Sequence, residues 1–237
     1  MPVNYKLNWD ATGERRFENG VDHGVLYPMK ADGTYDNGVV WNGLTGVDES
    51  PDGAEKTDLW ADNMKYGGFR SAETFGATIT AYTYPDEFAA CDGSKEIAQG
   101  VRIGQQTRTP FGFCYRSKIG NDVSEDAGFM LHILYGCTVS PSEKSRETIN
   151  DSPDAVEFSW EMDTDPITTG IAGMKPTSVV EIDSTKADET KLNALMAILY
   201  GTAAVAADAQ NNISAADAVE ARLPLPDEIA TLMAVSQ

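Results

Sequence analysis

The residues with most chemical potential are the carboxylates within residues 156–166, Val-Glu-Phe-Ser-Trp-Glu-Met-Asp-Thr-Asp-Pro. Glu157, Glu161, Asp163 and Asp165 fall on one side of a two-residue alternation, and Val156, Phe158, Trp160 and Met162 fall on the other. Successive side chains of a strand point to opposite faces, so the segment reads as a half-buried strand with an acidic outer face. Carboxylates two positions apart lie about 6.6 Å apart along a strand, a spacing a glycosidase acid and nucleophile could use. Such pairs normally face a sugar cleft lined by aromatic rings, and here the rings point the other way. A solvated sheet face and the lining of a shared lumen are the other two readings of the row.

The remaining candidates are weaker. Asp32-Gly-Thr-Tyr-Asp36-Asn37-Gly38 looks like part of a calcium loop, but its twelfth position is Gly43, where a bidentate Glu is required. Hairpin turns account for it better. Cys91, Cys114 and Cys137 are odd in number and far apart, with only His23 and His132 to join them, so buried free thiols are expected rather than a zinc site. His132 falls on the side of a strand opposite its apolar face, with no carboxylate beside it in sequence, and reads as structural. GxGxxG, GxxxxGK[ST], HExxH and GxSxG are all missing, which argues against an enzyme and gives no cofactor or metal.

Charge narrows the partners. The 237 residues carry 18 basic and 37 acidic side chains, a net charge of −19, and residues 151–237 hold 15 of the acidic ones but only 4 of the basic. A basic clamp on nucleic acid is thereby excluded, whereas a surface that repels phosphates is not. No apolar run approaches 18 residues and no basic-then-apolar leader opens the sequence, so a soluble protein made in a reducing cytosol is expected, without a membrane span.

Stepping along the chain, one β domain over 1–237 is expected. Residues 1–23 read as an N-terminal arm, and 25–29 as a short strand placed at an edge by Pro28. Residues 42–68 read as a projecting loop or hairpin with its tip at 49–53, its flanks 39–47 and 55–66 able to pair. Trp60, Met64 and Tyr66, with Trp41 and Asp52, suit contact with a partner. Strands are predicted over 74–84, 101–107, 111–116 and 128–139. In the last, Phe129, Leu131, Ile133, Tyr135, Cys137 and Val139 form one face. Residues 140–148 would pair with the acidic strand, and the regular spacing of strands and turns favours a sandwich or open barrel.

One flanking helix is predicted from 187 or 188 to 200, capped by Ser184 or Thr185 and ended by Gly201, with Leu192, Leu195, Met196 and Leu199 as the stripe that packs on the sheet. Residues 202–219 form an Ala-rich stretch read as a surface loop, and 222–237 a C-terminal tail with a short helix over 227–235.

Residues 179–201 (Val-Val-Glu-Ile-Asp-Ser-Thr-Lys-Ala-Asp-Glu-Thr-Lys-Leu-Asn-Ala-Leu-Met-Ala-Ile-Leu-Tyr-Gly) and 222–229 (Arg-Leu-Pro-Leu-Pro-Asp-Glu-Ile) resemble the major tail proteins of long-tailed phages with flexible, non-contractile tails. Leu59-Trp-Ala-Asp-Asn-Met-Lys-Tyr66, Thr80-Ala-Tyr-Thr-Tyr-Pro-Asp-Glu-Phe88 and Phe111-Gly-Phe113 are similar to the same family, in the same order. The resemblance implies a tail-tube β-sandwich flanked by a helix, forming hexameric rings that stack into a hollow tube for DNA. It also implies a tape measure protein, a tail terminator and distal tail or baseplate proteins as partners, with assembly in the host cytoplasm and residence in the virion tail. The acidic row would then line the lumen and residues 42–68 would meet the next ring. A carbohydrate- or receptor-binding β-sandwich of a phage tail tip is the alternative.

Overall fold

In the computed structural model, which describes residues 6–146, 148, 155–205 and 217–234, the chain is mainly β. Its strands are β1 (Phe17–Pro28), β2 (Val39–Trp41), β3 (Leu44–Gly53), β4 (Lys56–Ala61), β5 (Met64–Arg70) and β6 (Glu73–Ala81), then the short helix α1 (Phe88–Cys91). There follow β7 (Lys95–Ala98), β8 (Val101–Ile103), β9 (Phe111–Gly120), β10 (Gly128–Val139), β11 (Phe158–Thr164), β12 (Val179–Asp183), α2 (Glu189–Tyr200) and α3 (Pro226–Met233). An eight-stranded antiparallel sheet runs β2-β1-β9-β10-β11-β6-β3, with β12 as a further partner of β10. Two small hairpins, β4-β5 and β7-β8, stand apart from it.

The central strands are buried on both sides. On β9, Phe111, Phe113 and Tyr115 face one core while Cys114 faces a second. The first core lies where the sheet curls back on itself, and its aromatic rings interlock: Trp41 and Phe88 are 4.5 Å apart, Phe88 and Trp160 5.2 Å, Trp41 and Trp160 5.6 Å. Tilted rings at these separations gain quadrupolar attraction beyond their burial. The second core is closed by α2 and α3, through Leu192, Leu195, Leu199 and Ile229 against Leu131, Ile133 and Tyr135.

One residue decides which core each half of β10 serves. Between the pairs Leu134↔Phe113 and Cys137↔Phe111, β10 advances three residues while β9 advances two, so β10 carries a bulge. Gly136 adopts φ +62, and a Cβ there would stand 2.3 Å from the Asp165 carbonyl oxygen. The predicted single face from Phe129 to Val139 is therefore split. Leu131, Ile133 and Tyr135 face the helices, and Cys137 and Val139 face the curled core, because an extra residue reverses the alternation. The bulge also forks the sheet. Residues Met130 to Leu134 pair with β12, and Cys137 to Val139 pair with β11.

Several other expectations are corrected. Residues 17–23 belong to β1 rather than to a terminal arm, and positive φ at Gly20 and His23 marks two register shifts that hide the alternation in the sequence. β1 lies between β2 and β9, so it is no edge strand. Pro28 occupies its last position, beyond the reach of three-residue β2. Among residues 140–148, those described form no strand, and β11 pairs with β6 instead. Asp188, not Ser184 or Thr185, caps α2 by accepting from the Lys191 amide at 3.0 Å. The short C-terminal helix predicted over 227–235 is present as α3, Pro226–Met233; it shares the flank with α2, and Pro226 at its start suits a position where no amide hydrogen bond is needed. Of the Ala-rich stretch, residues 206–216 lie outside the described residues, while Thr202 and Val219 bridge its base.

Candidate assembly surfaces

β11 places its side chains as the alternation predicts. Trp160 and Met162 are buried; Glu161 and Asp163 are exposed, as are Glu157 just before the strand and Asp165 just after it. Register extends the acidic row into a surface. Glu161 pairs with Thr78 and Thr78 with Asp48, while Asp163 pairs with Gly76 and Gly76 with Ser50. The outer face of β11-β6-β3 thus carries Asp48, Asp52, Glu161 and Asp163 among Ser50, Thr74, Thr78, Thr80 and Ser159, with no Lys or Arg. Among the described residues, none of these carboxylates is in an ion pair. Strand neighbours are about 4.8 Å apart, so Glu161 and Asp48 face the same solvent across roughly 10 Å.

The projecting part is shorter than the predicted 42–68, and its tip is elsewhere. Residues 49–53 lie inside β3, which pairs with β6 as far as Gly53↔Glu73. Gly53 and Ala54, both at positive φ, then bend the ribbon, and it continues as β4-β5 to a turn at Asp62-Asn63, with φ +51 and +60. Two consecutive left-handed residues suit the tight turn that matches strand twist, and Asp and Asn tolerate that backbone better than most. Pro51-Asp52-Gly53 looks like a turn in the sequence but is a strand end followed by a bend.

Beyond the bend the hairpin touches little of the body. By register and alternation, Leu59, Met64 and Phe69 lie on one face with Thr57 and Ala61, and they are 46, 62 and 57% exposed. The opposite face carries Lys56, Asp58, Lys65 and Arg70, with Asp58 Oδ2 at 2.7 Å from Lys65 Nζ, and also Trp60, 70% exposed. Tyr66 is the extra residue of a bulge and is 76% exposed. Asp52 lies on the outer face of β3, its carboxylate accepting from the Gly53 amide. Trp41 does not belong with this group. It is 2% exposed in the aromatic core, with Nε1 donating to the Thr83 carbonyl at 2.9 Å.

A third cluster escaped the sequence reading. His132, taken to lack a carboxylate neighbour, lies between Glu49 of β3 and Glu181 of β12, its Nδ1 3.4 Å and 3.5 Å from their Oε1 atoms. Glu181 is its direct cross-strand partner, and Glu49 arrives because the curled sheet brings β3 back over β9. Pairing this distant leaves no mark in local sequence. Tyr115 Oη donates to the Glu49 carboxylate at 2.6 Å.

The three cysteines are buried free thiols, and burial pushes those of Cys91 and Cys114 up to about 12, which leaves them unreactive. Among the described residues no helix is long and apolar enough to cross a membrane.

Neither a protein-family model nor a curated protein sequence matches the chain. Among solved structures it is similar to a chain of the sheath–tube complex of PVC, an extracellular contractile injection system, in the extended state. The TM-score is 0.36 at 11% identity, covering 68% of this chain and 88% of that one. It is also similar to a chain of the sheath/tube terminator structure of the same system, with a TM-score of 0.32 at 12% identity, covering 75% and 99%. Scores this low define no shared function, so the functional reading rests on the chain's own surfaces.

Proposed function

We propose that this chain is the subunit of a phage tail tube, assembling as hexameric rings that stack around a channel for double-stranded DNA. The observation that carries the reading is the hairpin β4-β5. A two-stranded ribbon is marginal in water by itself, yet this one holds Leu59, Met64 and Phe69 on a face that none of the described residues covers. A neighbouring copy in the next ring supplies the cover. The order of family-like segments noted in the sequence supports the same assignment.

The acidic face gives the channel its character. Glu157, Glu161, Asp163 and Asp165, extended by Asp48, line the lumen in this reading, and a like-charged wall keeps phosphates from adhering so that DNA slides. Six copies carry roughly −110 formal charges per ring, divided between lumen and exterior. Among the described residues the ten-residue edge strand β3 has one unpaired side, which pairing between subunits of a ring would satisfy.

Electron microscopy of negatively stained protein over a range of concentrations tests the proposal, with a chain in which residues 56–70 are replaced by a short glycine turn as the comparison. Hollow rings or tubes from the intact chain, and none from the shortened one, support it. A map with the acidic row on the outer wall would overturn the lumen assignment. Exposed Trp60 and Tyr66 give the alternative, a sugar-binding tail-tip module, its one specific observation; a persistent monomer that binds cell-wall glycans would favour it.

A further inference from the structure

The arrangement around His132 calls for a positive centre. Ser117 Oγ donates to Glu18 Oε2 at 3.0 Å, so it accepts from His132 Nε2, 3.1 Å away, and Nε2 holds the ring proton. That leaves Nδ1 as a lone pair. It is buried, on a residue only 7% exposed, and among the described residues it has no hydrogen-bond partner. It faces the Glu49 and Glu181 oxygens, and Glu49 Oε1 already accepts from Tyr115 Oη at 2.6 Å. Three acceptors thus converge, every ligand atom within 4.8 Å of the others.

A proton on Nδ1 would be expected to draw a carboxylate in to about 2.7–2.9 Å, the usual length of a charged hydrogen bond. The observed 3.4 and 3.5 Å are too long for that. They match the ligand–ligand edges of a tetrahedral ion with bonds near 2.0–2.1 Å, which are about 3.3–3.4 Å. Tyr115 stacks flat on the imidazole, 4.5 Å between centroids and 3° from parallel, and fixes its aim. Ser117 on Nε2 and Tyr115 on Glu49 are the outer hydrogen bonds that orient metal ligands.

We propose that Glu49, His132 and Glu181 bind one divalent first-row cation of the zinc type, completed by solvent from the adjoining cleft of about 470 Å³. One nitrogen and two carboxylate oxygens form a borderline-hard donor set, suited to Zn²⁺ or Co²⁺ rather than to Cu⁺. The ion would join β3, β10 and β12, and so clasp the curled branch of the sheet to the helix-covered branch. This goes beyond the tube assignment and holds whether or not the chain forms tubes.

Metal-stripped full-length protein, titrated with Co²⁺ and separately with Zn²⁺, tests it. The expected result is one ion per chain, visible d–d absorption for Co²⁺, and a rise in unfolding temperature at saturating Zn²⁺. Glu181→Gln, at an exposed position that leaves packing intact, should weaken binding at least tenfold and remove the thermal shift, and His132→Gln should do the same. Glu161→Gln makes the same charge change on the acidic face and should leave both readouts unchanged. Equal affinity in Glu181→Gln and Glu161→Gln would overturn the proposal, as would no binding by the unsubstituted chain at millimolar metal.

Discussion

The two halves of the ribbon formed by residues 44–81 have the same hydrogen-bonding plan and opposite fates. At its base, β3 and β6 turn Val47, Phe75, Ala77 and Ile79 into the aromatic core, and their outer face is acidic and threonine-rich. Past Gly53 and Ala54, β4 and β5 keep the pairing but lose the core, and Leu59, Met64 and Phe69 are left in water. Strand pairing alone does not tell a self-supporting region from one that needs a partner. Where the apolar face goes does.

Removing the core under the base should have the largest effect. Trp160→Ala, at the centre of the ring cluster, should cost about 3–5 kcal/mol in chemical denaturation. Gly136→Ala, which attacks the fork that lets β11 and β6 curl over, should cost about 2–4 kcal/mol, since it combines positive φ with a clash against a backbone oxygen. A double change Leu59→Ser and Phe69→Ser in the distal half should leave monomer stability within about 0.5 kcal/mol, as for other surface positions, while abolishing tube growth seen by light scattering. An equal loss of stability there would erase the contrast between the halves. Glu161→Lys with Asp163→Lys should also leave stability nearly unchanged but confer salt-sensitive DNA binding on assembled particles, measured by co-sedimentation.

The smallest effect is on the helix side. Burial pushes the Asp183 carboxyl up, but hydrogen bonds from Thr185 and Lys186 outweigh it and hold it at about 2. A lowered folded-state value contributes stability above the unfolded pKa near 4, and that stability is lost as pH falls from there towards 2. Asp183→Asn should therefore flatten the stability profile over that window.

Sequence reading succeeded where pattern and contact are local. Residues 158–164 alternate without interruption and are buried as the alternation demands, residues 128–139 form a strand with the predicted limits, and the α2 stripe faces the sheet. It failed where one backbone residue changes phase. Gly136 reverses the faces of β10, Gly20 and His23 disguise β1 as an arm, and Asp62-Asn63 makes the turn that Pro51-Asp52-Gly53 advertises. The acidic row was visible in one strand, but its extension through Asp48 needed the β3–β6 register. The carboxylates around His132 were invisible because they are 83 and 49 residues away from it along the chain.

The pairing of the ribbon narrows at a waist. At the bend, Ala54 N reaches the Ala72 oxygen only at 3.4 Å, and the other links there are two between Glu55 and Ser71 and one from the Arg70 guanidinium to the Ala54 carbonyl at 3.0 Å. In the proposed tube, a ribbon clamped below by an aromatic core and above by a neighbour, yet thin between, would behave as a leaf spring. In a stack of rings joined by six such springs, curvature would be absorbed at the joints while every body stayed rigid, so that a long tube could bend without its bore changing width.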